Sequence, residues 1–206
     1  MNYFVTAIGT DCGKTFFSAI LCEALQADYW KPVQAGLPRD ADTVKNLLSN
    51  SVSKIQPETF LLNTLASPHA AAKLDGVTIE LNDFIIPPIK NNLVIEGAGG
   101  CLVPLNDHDF GISLAKKFDA ETILVSRLYL GSINHTLLSA DYLKKQKFNV
   151  KGIVFNGQSN PESENIILKH SGFPCLLRIT QEPEITKEVV TKYAEQLKSS
   201  GYFKNI

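Results

Sequence analysis

The first twenty-five residues constrain this chain more than any other stretch. Tyr3-Phe4-Val5-Thr6-Ala7-Ile8 is a run of β-formers, and Gly9-Thr10-Asp11-Cys12-Gly13-Lys14-Thr15 follows it as a glycine-bearing turn. Residues 16–25 then carry apolar side chains at Phe17, Ile20, Leu21, Ala24 and Leu25, the spacing of one helical face. A strand that leads through a glycine loop into a helix aims backbone N–H groups at an anion. Gly13-Lys14-Thr15 fit the end of the phosphate-loop pattern G-x-x-x-x-G-K-[ST]. The start does not fit: Ile8 stands where the first glycine belongs, and Gly9 lies one position later.

The alternation continues along the chain. Further strands are expected at 29–33, 92–96, 122–125, 150–155 and 174–179. Helices are expected at 40–48, 67–74, 81–86, 132–146, 162–170 and 184–199, the third stopped by Pro87-Pro88. Strands alternating with amphipathic helices imply a sheet of parallel strands covered on both faces. The expected fold is α/β: a three-layer, P-loop NTPase-like domain with a mostly parallel central sheet flanked by helices. No repeat, low-complexity tract or linker divides residues 1–206, so one domain is expected.

Composition excludes several classes of function. Twenty Lys+Arg oppose 21 Asp+Glu, a net charge of −1, so no general nucleic-acid surface is expected. No apolar run approaches the roughly 18 residues of a membrane span, and the N-terminus lacks the basic region of a signal peptide. Cys12, Cys22, Cys101 and Cys175 are scattered, neither a disulfide framework nor a zinc site. A cytoplasmic location follows as the simplest expectation.

Several residues could carry chemistry. Lys14 supplies a point charge for β/γ phosphates, and Thr15 a hydroxyl for Mg²⁺. Cys12, at a helix N-terminus, is expected to favour thiolate. Glu96 ends an apolar strand and runs into Gly97-Ala98-Gly99-Gly100. Ligands of open α/β sheets bind beyond the carboxyl ends of strands, so Glu96 takes the place of a Walker-B acid; the alternative is a solvated strand end. Pro32 forces Lys31 to be extended, which directs it to the same side, unless it is merely solvated. Asp42, in Arg39-Asp40-Ala41-Asp42, is a hard oxygen donor suited to Mg²⁺. Asp40 and Asp42 are equally accounted for as charges at a helix N-terminus. Ser132, after Gly131, is a candidate N-cap of the helix containing Asn134, and the N–H groups there could bind a carboxylate. Ser67-Pro68-His69 opens another helix, and His69 reads as structural.

These pieces, in this order, resemble the dethiobiotin synthetase family. The resemblance rests on Tyr3-Phe4-Val5-Thr6, Lys31-Pro32-Val33, Ser67-Pro68-His69, Val94-Ile95-Glu96-Gly97-Ala98-Gly99-Gly100 and Leu130-Gly131-Ser132-Ile133-Asn134-His135. It covers about three-quarters of the chain. The family's loop resembles G-T-x-T-x-V-G-K-T, which explains the displaced glycine. Ala7, Ile8 and Cys12 depart from it, while Thr10, Gly13, Lys14 and Thr15 match. Ala35 stands where the family has Ser or Thr, and Leu177-Arg178-Ile179-Thr180 stands for its late Gly-x-Ile-Pro.

The resemblance implies an ATP- and Mg²⁺-dependent enzyme that joins 7,8-diaminononanoate and CO₂ (or bicarbonate) into dethiobiotin through a carbamate and a carbamic–phosphoric anhydride. It implies an ATP site of Gly9, Thr10, Asp11, Cys12, Gly13, Lys14, Thr15, Phe16, Glu96, Gly99 and Asn156, the last contacting adenine. Thr15, Asp42 and Glu96 would hold Mg²⁺, and Lys14, Lys31 and Thr10 would act in catalysis. The substrate would meet Lys31, Ala35 and Gly97, with Gly131, Ser132 and Asn134 supplied by the other subunit of a homodimer. Two alternatives share the fold: a partitioning-type switch ATPase that binds protein partners, and a nucleotide-binding paralogue acting on a different amine. The switch ATPases usually carry an extra lysine early in the loop, and Ala7 to Cys12 contain none.

Overall fold

Seven strands form one all-parallel sheet in a computed structural model that describes residues 1–203. In chain order the elements are β1 (Asn2–Ala7), α1 (Lys14–Leu25), β2 (Asp28–Trp30), β3 (Val33–Ala35), α2 (Asp40–Leu47), β4 (Ile55–Gln56), β5 (Phe60–Leu62) and α3 (Pro68–Asp75). After a 3₁₀ turn, Leu81–Asp83, come β6 (Leu93–Glu96), α4 (Ser113–Lys117), β7 (Glu121–Arg127), α5 (Ser132–Lys145), β8 (Val150–Asn156), α6 (Pro161–Ser171), β9 (Cys175–Ile179) and α7 (Lys187–Ser199). The sheet order is β4-β2-β6-β1-β7-β8-β9, and β3 pairs with β5 in a separate two-stranded sheet.

Strand alternation divides the core in two. Tyr3, Val5 and Ala7 of β1 face α1, α2 and α7, joined by Phe17, Ile20, Val44, Val190 and Tyr193. Phe4 faces the other way, among residues of α3 to α6 such as Ala72, Leu114, Leu143 and Ile167. This is the helix–sheet–helix sandwich expected from near-continuous apolar strands. Among the described residues no helix is long and apolar enough to cross a membrane.

Three local departures from the sequence reading have physical causes. The expected strand at 29–33 breaks at Lys31-Pro32. Pro32 has no N–H for the ladder, and its carbonyl instead accepts from the N–H groups of Thr59 and Phe60, both at 3.0 Å. The chain therefore leaves the main sheet as β3. The expected helix at 81–86 is a single 3₁₀ turn, since Phe84 is already extended ahead of Pro87-Pro88. The last helix starts at Lys187, where the Thr186 hydroxyl caps the Val189 N–H, rather than at Glu184. The short elements β4, β5 and α4 have too few residues to show a period.

Parallel pairing puts the carboxyl ends of β1, β2 and β6 on one edge. Val5 pairs with Glu96 and Trp30 with Ile95, so the loop after Ala7, the residue Lys31 and the carboxylate of Glu96 converge there.

Candidate active site

The loop from Ile8 to Gly13 is fixed at both ends. The Ile8 N–H donates to the Val125 carbonyl at 3.2 Å. Gly13 adopts φ +93°, and a Cβ there would stand 2.2 Å from the amide nitrogen of Asn156. That same amide donates to the Cys12 carbonyl at 2.9 Å. Inside the loop, Lys14 Nζ donates to the Gly9 carbonyl at 3.2 Å. The N–H groups of Thr10 to Phe16 find no acceptor among the described residues. They form the open donor set that an anion requires at a helix N-terminus. Burial holds the Lys14 ammonium below the ordinary lysine range, with Glu96 opposing that shift.

Glu96 is the hub of the site and is 1% exposed. Its Oε1 accepts from the Thr15 hydroxyl at 2.9 Å and from Lys31 Nζ at 3.0 Å. Its Oε2 accepts from the Tyr29 hydroxyl at 3.0 Å. Lys31 Nζ also pairs with Asp40. Burial lowers the Lys31 pKa, but the charges and hydrogen bonds of Glu96 and Asp40 outweigh it, so the ammonium is held above its ordinary range. Gln34 sets the start of α2: its Oε1 accepts from the Asp40 N–H at 3.1 Å, while its Nε2 donates to the Gly36 carbonyl at 3.1 Å.

Beyond Glu96, the glycine turn packs against the phosphate loop. Gly99 has φ +58°, and a Cβ there would meet Val103 Cγ2 at 2.7 Å. At Gly100 it would stand 3.2 Å from the Ala7 carbonyl.

A cleft of about 910 Å³ opens over this edge. Thr10, Asp11, Gly13, Lys14, Thr15, Phe16, Lys31, Ala35, Glu96 and Gly99 line it. Leu37, Leu65, Pro68 and Val103 give it apolar walls. Gly97 lines a small adjoining pocket with Glu96 and Val103. The hard oxygen donors Thr15 and Glu96 stand side by side next to the loop. That donor set fits Mg²⁺, which takes one or two carboxylates and completes its shell with water and phosphate. No cluster of three or more His, Cys, Asp or Glu occurs among the described residues, so the protein alone does not cage a metal.

Other expected residues lie elsewhere. Asp42 does not join the cluster; its side chain is 61% exposed and lies 4.0 Å from Arg39. Asp40, two residues earlier, is the acid that reaches Lys31. Cys12 is buried among apolar residues such as Phe16 and Phe17, and burial pushes its thiol up, against the expected bias towards thiolate. Ser132 is the first residue of α5 rather than its cap; Gly131, at φ +105°, holds that place. Gly131, Ser132 and Asn134 do not line the cleft of their own chain. They lie beside exposed apolar side chains, Tyr129, Leu130, Ile133 and Leu138. Asn156 rests on the loop itself, its Nδ2 donating to the Cys12 carbonyl.

Tyr29 and Gln34 were not singled out from the sequence. A tyrosine in a buried strand offers one clue, because its hydroxyl must find a partner.

Residues 1–189 match a family model for an AAA domain. An ATP-dependent dethiobiotin synthetase of Cytophaga hutchinsonii is 58% identical, the alignment covering 98% of each chain. That of Christiangramia forsetii is 47% identical over 96% of each. Among solved structures, MinD of Pyrococcus horikoshii in complex with Mg-ADP superposes with a TM-score of 0.57, at 15% identity over the full length of both chains. A ParA family ATPase of Chlorobium tepidum gives 0.56 at 13% identity, over 97% of this chain and 95% of its own. At such identities the two structures speak for the fold alone. The full-length sequence relationships do more, and by them the chain belongs to the family of ATP-dependent dethiobiotin synthetases.

Proposed function

We propose that this protein uses ATP and Mg²⁺ to carboxylate and cyclise 7,8-diaminononanoate to dethiobiotin, releasing ADP and phosphate. The observation that carries the reading is Glu96. Its carboxylate joins the Thr15 hydroxyl of the phosphate loop to Lys31 across one edge of the sheet. Phosphate-binding groups and a second buried lysine suited to a carbamate thereby share one site, and that lysine comes from the end of β2 and not from early in the loop, where the switch ATPases usually carry theirs.

In this scheme one amine takes up CO₂ as a carbamate. A carbamate oxygen attacks the γ-phosphorus, breaks its bond to the ADP oxygen and forms a carbamic–phosphoric anhydride. The second amine then attacks the carbonyl carbon, expels phosphate and closes the ureido ring. Little covalent work falls to the protein, which positions the reactants and neutralises charge. The N–H groups of residues 10–16 and the Lys14 ammonium take the phosphates. Lys31, buried and held charged, faces the carbamate and the transferring group. Mg²⁺, when bound, would draw charge from the phosphate oxygens. Thr15 and Glu96 would hold it, and Asp40 shares the Lys31 ammonium with Glu96. The apolar walls at Leu37, Leu65, Pro68 and Val103 suit an alkyl chain.

The carboxylate end of the substrate is assigned to Gly131, Ser132 and Asn134 of a second copy. The exposed group Tyr129, Leu130, Ile133 and Leu138 beside the α5 N-terminus supports a homodimer joined there. Phosphate release should require ATP, Mg²⁺, bicarbonate and the diamine together, each omission abolishing it. Release that ignores the diamine would instead favour the switch-ATPase reading.

A further inference from the structure

Tyr29 is fully buried, and Glu96 is the one partner of its hydroxyl among the described residues. The sheet register explains the contact. Tyr29 pairs with Val94, and both belong to the core beneath α1. Glu96 lies two residues further along β6, on the same face as Val94. Two residues of strand span about 6.6 Å, a distance that a phenol bridges from the neighbouring strand. The two oxygens of Glu96 are thus divided. Oε2 is tied into the core by Tyr29, and Oε1 is turned to Thr15 and Lys31 at the cleft.

The choice of donor matters chemically. Lys31 already gives the carboxylate one cationic partner, and a lysine at position 29 would give it a second. A phenol fixes its orientation and leaves its negative charge for the cation at the cleft. Removing the hydroxyl leaves Oε2 buried without a donor, and the carboxylate gains by turning towards Lys31 or Thr15. Both movements take Oε1 from its place.

We infer that Tyr29 is a positioning residue for metal binding, acting through Glu96 alone. The inference rests on the reading of Glu96 as a Mg²⁺ ligand. Groups that orient a ligand in this way typically contribute about 10–100-fold in metal affinity.

The test is calorimetric titration of ADP at increasing Mg²⁺, which needs no turnover. Tyr29→Phe should bind ADP like the wild type without Mg²⁺ and require about tenfold more Mg²⁺ to reach half of the full metal effect. A lowered Tm with an unmoved Mg²⁺ midpoint would make Tyr29 merely structural and overturn the inference. Glu96→Gln serves as the control on the underlying reading. If its Mg²⁺ midpoint equals that of the wild type, Glu96 is not a ligand and the reading itself falls. If Glu96→Gln shifts the midpoint while Tyr29→Phe does not, only the inference falls. The double variant Tyr29→Phe/Glu96→Gln buries no unpaired carboxylate and covers the case in which the single variant fails to fold. It should match Glu96→Gln in Mg²⁺ midpoint. A further loss would show that Tyr29 acts by another route and would overturn the inference as well.

Discussion

Gly13→Ala should strike the phosphate loop through Asn156, and the size of the effect follows from geometry. The residue sits at φ +93°, and the added Cβ would stand 2.2 Å from the Asn156 amide nitrogen. The left-handed backbone costs an L side chain about 1–2 kcal/mol. Asn156 must also swing away and give up its 2.9 Å bond to the Cys12 carbonyl, a loss of about 1 kcal/mol. The total is about 2–3 kcal/mol, or roughly 4–12 °C in Tm for a chain of this size. Asn156→Ala alone should cost about 1 kcal/mol. In the double variant the clash has gone and only the backbone strain is added. It should therefore be no less stable than Gly13→Ala, with a coupling of about 1 kcal/mol. Denaturant unfolding of the four nucleotide-free proteins measures this cycle. Strict additivity would refute the packing of Asn156 on Gly13 and with it this account of how the loop is held.

The two acids at the start of α2 should separate in a turnover assay. Asp40→Asn removes a partner of the buried Lys31 and should cut turnover about tenfold, whereas the exposed Asp42→Asn should change it less than about twofold; the reverse order would place Asp42 at the metal. Because burial holds the Lys14 ammonium below the ordinary lysine range, deprotonation starts at lower pH than in a free lysine. Bound phosphates restore the charge, so ADP should bind with proton uptake as the pH approaches that range. The uptake, read from calorimetry in buffers of different ionisation enthalpy, should vanish in Lys14→Arg, and its absence in the wild type would contradict the assignment. Mixed Lys14→Ala and Asn134→Ala subunits should regain activity towards about a quarter of wild type, since half the dimers are mixed and each then keeps one intact shared site. Verified exchange without recovery would place both residues in one chain's site.

The convergence of Lys14, Thr15 and Glu96 on one sheet edge was legible because Lys14 and Thr15 open the helix after the loop and Glu96 ends a strand. A phosphate loop needs the strand before it and the helix after it, and both show their period in the sequence. Lys31 was marked by Pro32, the same residue that breaks the strand and turns the chain into β3. The choice between Asp40 and Asp42 was not legible. Residues two apart on a helix point about 200° away from each other, and the sequence does not give the rotation of α2. That rotation depends on Gln34, which holds the Asp40 N–H from outside the helix. Tyr29 was hidden for a related reason. Its role exists only through the β2–β6 register, a long-range fact with no local signature. The helix start at Gly131 and Asn134 lies outside the cleft, so the substrate-binding role proposed for it requires the proposed dimer.

The most direct test follows one oxygen atom. Turnover with ¹⁸O-labelled bicarbonate in unlabelled water, quenched before the label exchanges with solvent, should yield dethiobiotin and phosphate carrying one ¹⁸O. The atom passes from carbamate to phosphorus and leaves with it when the ring closes. Unlabelled phosphate would mean that water attacks ATP, and it would contradict the carboxylation and ring closure assigned to the site around Glu96.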